Sequence, residues 1–133
     1  MDPDIEGLKC LFCKRRCGKV DALWWDGGDF KLQWRPGGPY ASCKACMFRV
    51  CAYERQVYLK PHQGVCAREL VRRTGKPLSD IRVRCETCGK LLTNDEKDWL
   101  KLNGRCVFLV RQRWRANCYS CHIDNEGAGI HHS

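Results

Sequence analysis

Four Cys-x-x-Cys pairs punctuate this chain, and their spacing repeats. The pairs are Cys10/Cys13, Cys43/Cys46, Cys85/Cys88 and Cys118/Cys121. Twenty-nine residues separate the first pair from the second, and 29 separate the third from the fourth. Every cysteine of the first set has its counterpart 75 positions further on. Self-similarity of this kind marks a tandem duplication. Two thiolates three positions apart on a tight turn can reach one ion at about 2.3 Å, and two such turns complete a tetrahedron. All four places in each unit are cysteine, so neither site keeps an open coordination position. The sequence therefore predicts two structural Zn2+ ions and no catalytic metal. The histidines (His62, His122, His131 and His132) are scattered and replace no ligand, so no enzyme is expected.

Size explains why metal is needed. The 133 residues suffice for one ordinary domain or two very small ones. A module of roughly 50 to 60 residues buries too little apolar surface to fold safely without a staple. The twelve cysteines could also supply disulfides in a secreted chain. However, the acidic start, from Asp2 to Glu6, lacks a basic region and an apolar core, so no signal peptide is expected. No apolar run approaches the roughly 20 residues of a membrane span. A reducing, intracellular compartment is expected, where clustered cysteines bind metal. The formal charge of +9 invites a nucleic-acid reading. Eight bound thiolates subtract eight and two divalent ions return four, which leaves about +5 and a milder bias.

Other positions follow the repeat. Trp24 maps to Trp99, Leu8 to Val83 and Lys9 to Arg84. Thr93-Asn94-Asp95-Glu96 reads as a capping box and predicts a helix over roughly 94–102, ending at Asn103-Gly104. A matching helix is expected near 19–26, stopped by Gly27-Gly28. A strand is expected through Phe30, Leu32 and Trp34, and another from Cys106 to Val110. The fold class is thus a pair of small α/β zinc-binding modules joined by a linker helix. The expected divisions are a tail over 1–7, a first zinc domain over 8–46, a helical linker over 47–76, a second zinc domain over 77–124 and a tail over 125–133. Cys17, Cys51, Cys66 and Cys106 do not follow the repeat and are expected as small buried residues.

In the linker, Met47, Val50, Cys51, Glu54, Val57 and Tyr58 share one helical face, which Pro61 ends. A second helix is expected at about 65–74, closed by Gly75, and then a strand from Ile81 into Cys85. The first stripe serves either core packing or a binding groove between the modules. Arg82, Arg84, Arg111, Arg113 and Arg115 surround this region, and on a strand the last three share a face. Three readings compete: a solvated basic strand, a grip on a partner's acidic residues, and phosphate contact with nucleic acid, with Trp114 stacking on bases.

Two such units separated by 38 residues resemble the papillomavirus early protein 6 family, the viral transforming proteins. The resemblance covers roughly residues 8–122 and includes Tyr40-Ala41-Ser42-Cys43, Gly75-Lys76-Pro77-Leu78 and Arg113-Trp114. It implies a non-enzymatic adaptor in the host nucleus and cytoplasm. Family members clasp an acidic LxxLL helix of a host protein between the zinc modules and the linker helix. Carried over by position, the apolar pocket comprises Phe12, Phe30, Met47, Val50 and Cys51, with Glu54 nearby and Arg84 and Arg113 gripping the peptide. The implied partners are Mastermind-like coactivators, favoured for a non-mucosal or animal virus, or paxillin, or a HECT ubiquitin ligase. Lys31 and Ser42 stand where apolar residues are common. Gly27 and Gly28 replace bulkier residues used for tumour-suppressor recruitment, so degradation of that target is not expected. The end at Ser133 lacks the apolar last residue of a PDZ ligand, and no PDZ binding is expected.

Overall fold

A computed structural model describes residues 5–127. The positions on which the leader-peptide and PDZ expectations rest include 1–4 and 128–133, outside that range. Among the described residues no helix is long and apolar enough to cross a membrane.

The first half contains α1 (Lys19–Asp26), β1 (Gln33–Arg35), β2 (Gly38–Tyr40) and α2 (Lys44–Tyr58). A 3-10 turn, Pro61–Gln63, leads to α3 (Ala67–Thr74), and another, Leu78–Asp80, to β3 (Val83–Cys85). Then come α4 (Asn94–Leu102), β4 (Phe108–Val110), β5 (Arg113–Ala116) and α5 (Tyr119–Gly127). Two cores form. One gathers Ile5, Cys10, Cys17, Ala22, Trp25 and Ala41. The other gathers Val65, Leu70, Ile81, Val83, Leu100 and Val107. Ile5 is fully buried, so the expected tail over 1–7 contributes to the first core. The linker is likewise divided: α2 continues directly out of the second knuckle, while α3 buries Leu70 in the second core.

The duplication is written in the backbone hydrogen bonds. The Cys10 amide donates to Arg15 O at 2.8 Å, and the Cys85 amide to Lys90 O at 2.7 Å. Leu11 N bonds Ala41 O at 2.8 Å, as Glu86 N bonds Ala116 O at 3.0 Å. Gly89 and its counterpart Lys14 both take positive φ, 85° and 66°, inside the knuckle turn.

Both α1 and α4 begin where the sequence predicts, and for related reasons. Thr93 Oγ1 accepts from Glu96 N at 3.2 Å while the Glu96 carboxylate accepts from Thr93 N at 2.9 Å. In the first module Asp21 accepts from Gly18 N at 2.8 Å. Each carboxylate also uses its other oxygen, which the sequence did not announce. Asp21 accepts from Lys44 N at 2.9 Å and Glu96 from Tyr119 N at 2.8 Å. One acidic side chain thus caps the module's internal helix and anchors the first turn of the helix that leaves the second knuckle.

Three expectations are corrected. Phe30 and Leu32 precede β1 rather than lying in it, because Asp29 adopts φ 55° and turns the Phe30 ring back onto Trp24 and Trp25, at centroid distances of 4.3 and 5.1 Å. Arg111 does not share a strand face with Arg113 and Arg115. Arg111 and Gln112, at φ 50° and 67°, form a two-residue turn between β4 and β5, and the Arg111 guanidinium lies 5.0 Å from the Tyr58 ring centroid. Finally, Cys17 and Cys51 are buried as expected, but Cys66 and Cys106 are exposed.

Candidate metal centres and peptide groove

The eight repeat cysteines assemble into two sets, Cys10/Cys13/Cys43/Cys46 and Cys85/Cys88/Cys118/Cys121. In each, all sulfurs lie within 4.8 Å of one another. A tetrahedron with Zn–S bonds of about 2.3 Å has sulfurs about 3.8 Å apart. The Cys13–Cys43 and Cys88–Cys118 sulfur pairs are each 3.9 Å apart. The amides around them are arranged for thiolates. Cys10 Sγ accepts from Phe12 N at 3.4 Å and Cys43 N at 3.3 Å. Cys85 Sγ accepts from Thr87 N at 3.3 Å, and from Cys88 N and Cys118 N at 3.4 Å each. Hydrogen bonds from the Cys118, Cys121 and Cys88 thiols hold Cys85 far below the ordinary thiol pKa. Cys13 is lowered to about 6, chiefly by the Arg15 backbone N–H. Donor set, spacing and amide shell all fit Zn2+, and with four protein ligands per ion the metal would hold structure.

The modules meet along α2, where Phe48 packs against the second core and Met47 against Gly89, and polar bonds add to this contact. Arg84 Nη2 donates to Asp29 O at 2.8 Å, and its Nη1 to Gly28 O of the first module and Gly89 O of its own at 3.1 Å each. Leu91 N joins the same Gly28 carbonyl at 3.0 Å. Arg82 pairs with Asp29 at 2.8 Å. From α2, Arg55 Nη1 donates to Glu86 O at 2.5 Å, and Glu54 accepts from the buried Arg115 at 3.3 Å. Arg84 and Glu54, both expected around a peptide, therefore already have partners within the chain.

Between the modules and above α2 lies a groove of about 520 Å³. Phe12 and Phe30 enter from the first module, Met47, Val50 and Glu54 from α2, and Arg84 and Arg113 from the second. Of the residues expected at the pocket, Cys51 is the exception, because it is buried behind the lining. Phe12 is half exposed at the lip. Lys31 and Ser42 line the groove, as do Leu11, Trp25 and Arg115, which sequence reasoning did not assign to it. Trp25 could have been found from its place in α1 beside the repeat tryptophan Trp24. Arg115 reaches the lining through a partner 61 positions away, which leaves no local signal. Arg113 is exposed, and its guanidinium has no hydrogen bond or ion pair among the described residues.

Gly28 keeps the groove wall in place. A Cβ there would fall 2.0 Å from the Phe30 ring, whereas one at Gly27 meets nothing within 4 Å.

The architecture defines a class: a tandem four-cysteine zinc protein whose duplicated modules enclose a cleft over a shared helix. A family profile described as Early Protein (E6) matches residues 10–121. Protein E6 of bovine papillomavirus type 5 is 36% identical over 121 residues, covering 91% of this chain and 89% of that protein. Protein E6 of human papillomavirus type 48 is 33% identical over 120 residues, covering 90% and 82%. The chain belongs to the papillomavirus E6 family. The C-terminal zinc-binding domain of HPV51 oncoprotein E6, a solution structure, aligns with 27% identity and a TM-score of 0.43 over 47% of this chain and 82% of that one. The family assignment stands without that alignment.

Proposed function

We propose that this chain is a non-enzymatic viral adaptor that captures acidic LxxLL helices of host proteins in the groove over α2. The supporting observation is the groove's polarity. Its interior is apolar through Phe30, Met47 and Val50, and Arg113 stands at its edge with an uncommitted guanidinium. A helix laid in such a groove buries its leucine stripe and presents acidic flanks to the cation. A Mastermind-like coactivator of Notch signalling is the favoured partner, ahead of paxillin and a HECT ubiquitin ligase. The host nucleus and cytoplasm are the corresponding sites of action. A pull-down with a panel of acidic LxxLL peptides ranks the partners. Arg113→Glu should abolish capture while both zinc ions remain bound, and unchanged affinity in that variant would sink the assignment. A nucleic-acid reading draws less support, because the arginine row it needed is divided between a turn, an exposed strand position and the buried Glu54 pair. It predicts DNA binding with a steep salt slope, and a flat response near physiological salt removes it.

A further inference from the structure

Of the twelve cysteines, eight form the metal sets and two, Cys17 and Cys51, are buried. Burial pushes the Cys17 thiol up to about 12 and the Cys51 thiol up to about 11. Cys66 and Cys106 remain as the exposed pair. They are 40 positions apart in sequence, yet each adjoins a residue of one bridge, Val65–Val107.

The placement follows from register. Val65 and Val107 form an antiparallel bridge. Val65 N donates to Val107 O at 2.9 Å and Val107 N to Val65 O at 2.7 Å, so this is a hydrogen-bonded pair. The next position along an antiparallel ladder is the closer, non-hydrogen-bonded pair, with Cα atoms about 4.5 Å apart. Cys66 and Cys106 are the residues at that position, one on each side of the bridge. Cys66 keeps the extended direction, at φ −74° and ψ 165°, before α3 begins. Both cysteines also face the same side. A Cβ on Gly64 would come within 2.9 Å of the Cys106 Cβ, so Cys106 projects on the Gly64 face. Cys66, two residues beyond Gly64, shares that face by alternation. Disulfides need Cα atoms about 4.4–6.8 Å apart, a range that includes the spacing of about 4.5 Å for such a ladder position.

We propose that Cys66 and Cys106 are a modification site: an accessible dithiol that a peroxide oxidises to a disulfide tying the start of α3 to the approach to β4. One thiol gives up its proton and its thiolate attacks hydrogen peroxide; the O–O bond breaks, and the leaving hydroxide takes up that proton, so a sulfenic acid and one water form. The second thiol then attacks that sulfur, the S–S bond forms, and a second water leaves. The two sulfurs together lose two electrons and the peroxide gains two. Exposed pairs of this kind are the labile ones in reducing compartments. The bond would fix α3, which carries Leu70 into the second core, without using a zinc ligand.

The test uses the full zinc-loaded chain titrated with hydrogen peroxide. Native mass spectrometry should show loss of two hydrogens with both zinc ions retained, and non-reducing peptide maps should join the Cys66 and Cys106 peptides. Cys66→Ser and Cys106→Ser should each bind two zinc ions and lose that intramolecular product. Oxidation that expels zinc before any Cys66–Cys106 peptide forms, or that links separate chains through these cysteines, overturns the proposal.

Discussion

Arg84 and Arg113 both line the groove, but the structure gives them different work, and a paired substitution separates the two roles. Arg84→Met keeps the aliphatic stem and removes the guanidinium. It deletes two part-buried bonds of 3.1 Å, to Gly28 O and Gly89 O, and one more exposed bond of 2.8 Å to Asp29 O. Each part-buried bond contributes about 1 kcal/mol net, and the exposed one about half that. The guanidinium also lies 5.6 Å from the Phe30 centroid, a cation–π contact of about 0.5 kcal/mol. The expected loss is about 3 kcal/mol, concentrated where the modules meet. Urea unfolding of the zinc-loaded chain gives the total. Hydrogen exchange at the Leu91 amide, whose acceptor is the same Gly28 carbonyl, gives the local part. Arg113→Met should leave both readouts unchanged and weaken an acidic LxxLL peptide instead. If Arg84→Met loses peptide affinity with no change in urea midpoint or Leu91 protection, the inter-module clamp is not what holds the two halves together.

Three further outcomes are expected. Gly28→Ala must move the Phe30 ring and should cost about 1–3 kcal/mol along with peptide affinity. Gly27→Ala, with open space around its Cβ, should be neutral or slightly stabilising, and equal effects in the two variants on thermal melts would contradict the packing argument. Cys85→Ser removes the sulfur that accepts three amides and should drop the zinc content from two ions to one by native mass spectrometry. Retention of both ions would show that the second set does not need it. Thr93→Ala should cost about 1 kcal/mol as a lost cap. Glu96→Ala should cost about twice that, because Glu96 also holds the Tyr119 amide and pairs with Lys90 at 3.5 Å. Denaturation of both variants side by side checks the ratio.

The features legible in the sequence are those with local signatures. Ligand spacing located both metal sets, and the Thr93–Glu96 box placed α4 because its chemistry closes within four residues. The failures have physical reasons. The Arg111-Gln112 turn carries neither the glycine nor the asparagine that normally signals positive φ, and its conformation is supported by the Arg111–Tyr58 contact from a different element. Phe30 alternates correctly with Leu32 and Trp34, but Asp29 reverses the chain and sends the ring to the tryptophans of α1. The role of Arg84 was hidden for a third reason. Its partners are backbone carbonyls, and every residue carries one, so nothing in the identities of Gly28, Asp29 and Gly89 marks them as acceptors.

The same consideration explains how a duplicated chain builds an asymmetric cleft. Equivalent positions keep the knuckle bonds, the capping carboxylates and the two-residue hairpin connections. The halves diverge where they touch. Arg84 stands opposite Lys9 in the repeat, Glu86 opposite Leu11, and Gly89 opposite Lys14. Arg84 delivers a fixed fork to three carbonyls, which the point charge of a lysine does not reproduce. Gly89 adopts its positive φ without strain and lets Met47 pack close, since a Cβ there would fall 3.0 Å from Met47 Cγ. Leu11 turns to the groove while the Glu86 backbone receives Arg55. The metal sites impose the shared skeleton, and these few unshared residues decide that one half supplies apolar walls and the other the clamp, with the Arg113 guanidinium unpaired among the described residues at the edge of the groove.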